Sequence, residues 1–408
     1  MKAPIFTDEL AVDGGAPVRR TPLPFWPRYD EDEVEAVAEV LRSGRVNYWT
    51  GGEGKAFEAE FAAFHGMPHA VALANGTVAL ELALRVLGVG AGDEVVVTPR
   101  SFFASASSIV LAGATPVFAD VDADSQVITP GSIAAVLTPR TRAIIAVHLA
   151  GWPCDMPGIM DLARAHDLRV IEDCAQAHGA RIDGQLVGTF GDVNAFSFCQ
   201  DKILTTGGEG GMLLMRDPRL WSEAWAFKDH GKSWERVRAT DHPPGFRWLH
   251  DGFGTNWRLT EGQSAIGRIQ LRKLDAWLAI RRAHARRLDE GLADIPAVRV
   301  PVPPAAVEHA YYRYSAFVRP ERLASGWDRD RILAGLSAEG IPGLSGSCSE
   351  IYLERAFDDH PARPVHRLEV ARQLGETSIA LPLHPALEPS DVDDMVRALR
   401  KVLLRASA

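Results

Sequence analysis

Between about residues 70 and 215 the chain alternates short apolar runs with stretches of helical period. The apolar runs predict strands over 70–74, 94–99, 115–120, 143–150, 169–173, 195–198 and 211–215. Helical patterns lie between them, for example over 78–86 and 157–166. This alternation predicts an α/β fold with a mostly parallel, seven-stranded sheet sandwiched by helices. In such sheets ligands collect beyond the carboxyl ends of the strands. The polar residues that end these runs are therefore the first place to look for chemistry.

Other patterns flank the sheet. A helix is expected over 30–43, packed on the outside or on a partner subunit. A long amphipathic helix is expected over 260–292, with Ile266, Ile269, Leu271, Leu274 and Trp277 apolar. Pro301-Val302-Pro303-Pro304 reads as a linker. After it come a strand over 311–318 and helices over 329–339 and 392–403, a smaller α+β domain. The expected division is 1–262 for an N-terminal segment with the large domain and 263–408 for the small one.

Composition narrows the function classes. With 408 residues, 46% hydrophobic and 24% charged, the chain can bury a sizeable core. A net charge of -9 argues against nucleic-acid binding and offers no basic face to an anionic membrane, although a local arginine cluster could still hold a phosphorylated small molecule. Cys154, Cys174, Cys199 and Cys348 form no CxxC pair, so buried free thiols are expected rather than disulfides or a metal site. The first twenty residues carry Asp8, Glu9 and Asp13 and no apolar stretch, and no run reaches membrane-spanning length. A cytoplasmic enzyme is the expectation.

Only seven of the 44 basic side chains are lysines, and one of them, Lys202, lies just after the predicted strand over 195–198. Gly207, Gly208, Gly210 and Gly211 follow it, so backbone there can approach a ligand closely. Such an amine suits a Schiff base, and it would equally suit a lysine lying along a surface loop. Asn75-Gly76-Thr77 joins a strand to a helix start, which fits either a phosphate cradle or an ordinary threonine cap. The strand 169–173 ends in Glu172 and Asp173; an acid leaving the core there wants a cation, from a pyridinium nitrogen or from an arginine. Gln176 could touch the same ligand. Ser197 could add a phosphate contact or be a small core serine, and Phe102 could cover an aromatic ligand or fill the core. A lysine, a strand-end carboxylate, an aromatic plate and a Gly-Thr cradle, taken together, are what a pyridoxal phosphate enzyme requires.

The chain resembles the DegT/DnrJ/EryC1/StrS family of sugar aminotransferases. The segments that carry the likeness are FEAEFAAFHGMPHAVALANGTVALELAL, GATPVFADVD, IIAVHLAG, VIEDCAQAHGA, FSFCQDKILTTGGEGGML, FGTNWRLTEGQSAIGRIQLRKLD and SIALPLHP. The resemblance implies the fold-type-I, aspartate aminotransferase-like architecture and pyridoxal 5'-phosphate as cofactor. It implies Lys202 as the Schiff-base lysine, Asp173 as partner of the pyridine nitrogen and Gln176 beside the ring hydroxyl. Gly76, Thr77 and Ser197 correspond to phosphate contacts and Phe102 to the stacking aromatic. Asn256 corresponds to an asparagine that reaches the cofactor phosphate of the neighbouring subunit, which implies a homodimer with shared sites. Two features depart from the family pattern: Lys228 stands where an arginine is usual, and the segment between Pro99 and Ser101 is one residue short, so Phe102 and Phe103 compete for the stacking role.

Glutamate or glutamine is the implied amino donor. The implied acceptor is a nucleotide-linked keto sugar of surface polysaccharide or glycoside synthesis. A free keto-cyclitol of the scyllo-inosose type and aminohydroxybenzoate synthesis are the alternatives within the family. A dehydratase or a non-catalytic cofactor-binding regulator is the remaining alternative. Candidate substrate contacts are Tyr48, Trp49, Thr50, Arg258, His309, Tyr311 and Tyr312, any of which could instead be packing or dimer residues.

Overall fold

The computed structural model describes residues 9–242 and 244–408. Its centre is a seven-stranded sheet in the order His69–Leu73, Gly211–Met215, Val193–Ser197, Arg169–Asp173, Thr141–Val147, Glu94–Val97, Thr115–Phe118. Gly211–Met215 runs antiparallel to both of its neighbours, and the remaining pairings are parallel. Helices cover both faces, so Glu94–Val97 and Val193–Ser197 are buried at every position. This is the α/β, fold-type-I arrangement expected from the alternating pattern.

Register brings the polar strand ends to one edge. Asp173 sits opposite Val147 on one side and Ala195 on the other, and Ser197 sits opposite Gly211, which also pairs with Leu73. Helix Gly76–Val86 begins directly beyond this edge, with the Asn75 side chain accepting the Val78 N–H at 3.0 Å. The strand expected over 143–150 stops at Val147, because Ala150 turns out of the ladder with φ 56° and gives its N–H to Gln176 instead.

A second core forms around an antiparallel sheet of Val298–Arg299, Arg313–Val318 and Ser378–Pro382, packed by helices Arg329–Ala338 and Pro389–Ala406. Helix Glu261–Leu292 serves both cores. Leu271, Leu274 and Leu278 pack with Phe57, Phe61 and Phe198, whereas Ala285, Leu288 and Leu292 pack with Val392 and Met395. The division expected at 262/263 thus falls in the first turn of a continuous helix.

The start of the chain departs from that division too. Leu10 and Leu23 are buried in the C-terminal core, Glu339 accepts the N–H groups of Ala11 (2.8 Å) and Val18 (3.0 Å), and Arg19 pairs with Asp391 (2.7 Å) and Asp394 (3.0 Å). The segment has no periodicity of its own, so its pattern could not say which core it would join. Helix Glu31–Ser43 packs on the long helix of its own chain, where Lys273 meets Asp30, Asp32 and Glu33. All four cysteines are free; Cys154 and Cys174 are buried as expected, but Cys199 is half-buried and Cys348 exposed. Among the described residues no helix is long and apolar enough to cross a membrane.

Candidate active site

A cavity of about 630 Å³ opens at the carboxyl edge of the sheet, lined by Gly76, Thr77, Phe102, Asp173, Gln176, Ser197 and Lys202 among others. Its floor is set by a close approach of two backbones. A Cβ on Gly76 would fall 2.6 Å from the Ser197 Cβ, and one on Gly211 would fall 2.3 Å from the Asn75 carbonyl oxygen. Glycine at both positions lets the helix start sit directly against the strand exit. The first amides of a helix have no intrahelical partner, and here Asn75 satisfies that of Val78. The Gly76 and Thr77 amides, with the Thr77 and Ser197 hydroxyls, form a cradle suited to an anion.

Asp173 is 4% exposed. Its Oδ2 accepts the Ser105 hydroxyl at 2.9 Å, its Oδ1 accepts the Ala175 N–H at 3.1 Å, and Ser105 is linked in turn to Ser101 at 3.0 Å. Burial pushes the carboxyl pKa up, and these two donors only temper the rise. Among the described residues no lysine, arginine or histidine lies within ion-pair distance of it, and Lys202 favours its charge only from further off. Glu172, one position earlier, faces the other side of the sheet. There it accepts the N–H groups of Phe190 (2.7 Å), Gly191 (2.8 Å) and Gly188 (2.8 Å) and meets His148 Nε2 at 3.0 Å. The two adjacent acids therefore do different work: Glu172 holds a turn, and Asp173 faces the cavity.

Lys202 is 13% exposed at its side chain, with Nζ 3.4 Å from Asp201 Oδ1 and 5.0 Å from the centre of the Tyr312 ring. Burial works against its charge, but Tyr312 and Asp201 outweigh burial and hold the amine above its ordinary pKa. The Gln176 Oε1 accepts the Ala150 N–H at 2.7 Å, which leaves its NH2 as the free end at the cavity wall. Phe102 is 68% exposed at the mouth, whereas Phe103 packs edge-on against Phe357 at 6.0 Å. Phe102 thus borders the cavity beside Lys202, whereas half-buried Phe103 packs against the core and borders only the extension of that cavity.

The cavity continues past Lys202 into a space of about 330 Å³ that adds Arg100, Tyr312 and Arg313. Arg100 is 1% exposed and donates only to neutral acceptors: Gln126 Oε1 (2.9 and 3.1 Å), Ser349 Oγ (2.6 Å) and Ser378 Oγ (3.1 Å). Burial lowers its pKa to about 10. Ser105, Asp201, Arg100 and Arg313 are absent from the sequence-based candidates. Position beside Lys202 could have pointed to Asp201. Arg313 is brought to the site only by the packing of the second core.

Of the seven candidate substrate contacts, only Tyr312 lines the space around Lys202. Tyr48 is corrected to a core residue: it is 2% exposed, donates to Glu58 Oε2 at 2.9 Å and lies under the Lys228 ammonium. Trp49 packs edge-on against Tyr48 and Trp225, and exposed Thr50 bonds back to the Asn47 carbonyl at 3.2 Å. His309 is buried and stacks on Tyr311 with centres 4.0 Å apart, an arrangement in which each ring covers the other's apolar face. Arg258 pairs with Asp229 at 2.8 Å, and exposed Asn256 is bridged to Asp229 away from its own chain's cavity. Lys228, in the usual arginine position, is fully buried and pairs with Glu58 at 2.7 Å.

Over residues 27–400 the chain matches the model of the DegT/DnrJ/EryC1/StrS aminotransferase family, and it belongs to that family of aminotransferases. Its fold is similar to that of an aminotransferase from Psychrobacter cryohalolentis: TM-score 0.93 and 51% identity, covering 94% of this chain and 100% of the other. A UDP-N-acetyl-3-dehydro-alpha-D-glucosamine 3-aminotransferase of Acidithiobacillus ferrooxidans is 39% identical over 384 residues, 93% of this chain and 95% of the relative. An L-glutamine:2-deoxy-scyllo-inosose aminotransferase of Streptomyces kanamyceticus is 38% identical over 427 residues, 98% of each chain.

Proposed function

We propose that the chain transfers an amino group from glutamate or glutamine to a nucleotide-linked keto sugar, with pyridoxal 5'-phosphate held in the cavity around Lys202. The unpaired buried Asp173 and the glycine-dependent cradle at Gly76 suit the two charged ends of that cofactor. When bound, pyridoxal phosphate supplies an aldehyde that bonds to a lysine amine and a ring that accepts electrons. Gly76, Thr77 and Ser197 would hold its phosphate, Asp173 would keep a proton at its ring nitrogen, and Gln176 and Phe102 would border its ring. Lys202 would anchor its aldehyde, and Nζ would carry a proton to and from the donor Cα.

The observation that carries the reading is the cavity that gathers Lys202, Asp173 and the Gly76 cradle, and its extension past Lys202 is lined by Arg100 and Arg313. Arg313 there suits the phosphates of a nucleotide-linked acceptor or the carboxylate of the amino donor, while Arg100 is buried and held by Gln126, Ser349 and Ser378. The relative with a UDP-linked substrate supports the nucleotide-linked class. The cyclitol reading keeps support from the inosose aminotransferase, which matches over nearly its whole length.

The assembly proposed is a homodimer in which Asn256 of one protomer reaches the phosphate site of the other. Asn256 is exposed and lies off its own cavity, and the neighbouring groove of about 820 Å³ is rimmed by Phe253 (99% exposed) and Leu111 (68%). Apolar surface of that kind is normally covered. With free cysteines throughout, the reaction is assigned to the cytoplasm.

The test is a transfer assay. Enzyme loaded with cofactor and treated with glutamate or glutamine should release the matching 2-oxo acid, 2-oxoglutarate or 2-oxoglutaramate. After the free amino acid is removed, it should aminate a nucleotide-linked keto sugar, detected by product mass. Amination of inososes alone would replace the nucleotide-sugar reading with the cyclitol one, and release of neither 2-oxo acid would overturn both.

A further inference from the structure

Asp201 divides its two carboxylate oxygens. Oδ1 faces Lys202 Nζ at 3.4 Å, and Oδ2 accepts the Tyr312 hydroxyl, with an Arg313 nitrogen 3.8 Å away. The Tyr312 ring also presents its face to Nζ at 5.0 Å. The ammonium thus meets an anion and the negative face of an aromatic ring at once. Asp201 and Lys202 belong to the loop that leaves the large sheet, whereas Tyr312 directly precedes the strand Arg313–Val318 of the second core. The arrangement exists only when the two cores are packed together.

We propose that Asp201 and Tyr312 form a dock for the Lys202 amine, a positioning pair that holds it beside the cofactor cavity whenever it is not bonded to the cofactor. This rests on the reading of Lys202 as the cofactor-anchoring lysine. In each turnover the substrate amine must replace the lysine, which is then free on a four-carbon stem with many rotamers. A carboxylate and a ring at fixed places select the rotamers that keep Nζ near the reacting carbon. The Tyr312 hydroxyl donates to Asp201 and keeps that carboxylate from turning away.

The other charged or titratable groups that bear on this corner are few. Asp173 and His178 come from the strand-and-turn segment that ends the central strand Arg169–Asp173, and Cys199 comes from the Lys202 loop itself. Arg313 of the second core and buried Arg281 of the long helix add positive charge around Tyr312, and among the described residues Asp201 is the acid within ion-pair distance of Nζ. Asp201 is itself held below the ordinary carboxylate range: burial would raise it, but Lys202 and the Tyr312 hydroxyl outweigh burial.

The test reads the amine directly in cofactor-free enzyme. An amine-selective acylating reagent attacks only the neutral amine, so the pH midpoint of labelling at Lys202, located by peptide mass spectrometry, reports its protonation. In Asp201→Asn the midpoint should fall by about one unit, so that labelling at pH 8 rises about tenfold, with exposed Lys55 unchanged as control. An unchanged midpoint in a folded Asp201→Asn protein overturns the dock. If that variant does not fold, Tyr312→Leu, which strips both ring and hydroxyl, must raise Lys202 labelling severalfold, and no rise overturns the proposal. Borohydride trapping keeps the two readings apart: cofactor fixed to Lys202 with an unchanged labelling midpoint sinks only the dock, whereas cofactor fixed to another lysine sinks the site.

Discussion

Ser105 donates its hydroxyl hydrogen to Asp173 Oδ2 across 2.9 Å, so the buried acid is oriented from a helix start 68 residues earlier in the chain. The bond favours the ionised form that burial opposes. Asp173→Asn should keep the fold and lower kcat by on the order of 10²-fold or more, since the charge facing the ring nitrogen is gone. Ser105→Ala should cost less, about tenfold, in line with one hydrogen bond to a charged group. Steady-state kinetics of the two variants check the order. Equal losses would place Ser105 in contact with the reacting groups, against this account.

Gly76→Ala forces a Cβ to within 2.6 Å of the Ser197 Cβ and must push the helix start off the strand exit. The expected result is a folded protein with cofactor affinity weakened by at least tenfold, measured by equilibrium dialysis. Gly211→Ala, whose Cβ would meet backbone at 2.3 Å, should instead lose about 1–3 kcal/mol of stability in urea unfolding.

Asn256 supplies a test of the shared site. Lys202→Ala and Asn256→Ala subunits should each be impaired alone. In a mixed dimer one site regains both residues, so co-refolded subunits should recover up to about a quarter of wild-type activity, one intact site in half of the dimers. No recovery would mean that each protomer completes its own site.

Buried histidines set the acid limit of stability. Burial lowers His178 to about 3, His65 to about 4 and His309 to about 3. Each folded value lies below the ordinary 6.5, so between those limits the unfolded chain binds protons that the folded chain does not. Stability is therefore full above about pH 6.5 and falls as pH drops towards the folded values, by up to about 1.4 kcal/mol per pH unit for each histidine. His178, packed against Phe196 and Phe198, gives the cleanest variant. Urea unfolding of His178→Phe between pH 7 and 5 should show a shallower slope than wild type, and an identical slope would contradict this.

Much of the site was legible because its parts follow strands. Asp173 and Ser197 end apolar runs, and Gly76 opens a helix directly after one, so short apolar runs and a glycine were enough to place them on one edge. Ser105 was not legible, since a serine inside SFFASAS shows no sign of the acid it orients. Tyr312 was among the candidates, but Arg313 beside it reaches this corner only through the packing of the second core, a long-range contact that no local pattern encodes. The same lack of local signal misplaced the chain's start, where Leu10 and Leu23 join a core built from residues about 300 positions away. Tyr48 misled because an aromatic beside a loop looks the same in sequence whether it faces a ligand or Glu58.

The central claim is that Lys202 carries the cofactor. Wild-type protein would be incubated with pyridoxal phosphate, reduced with borohydride, digested and mapped by mass spectrometry. The account predicts a single phosphopyridoxyl group, on Lys202, and loss of both the label and the visible absorbance in Lys202→Ala. Label on Lys228, Lys232 or another lysine, or unchanged absorbance in Lys202→Ala, would contradict it.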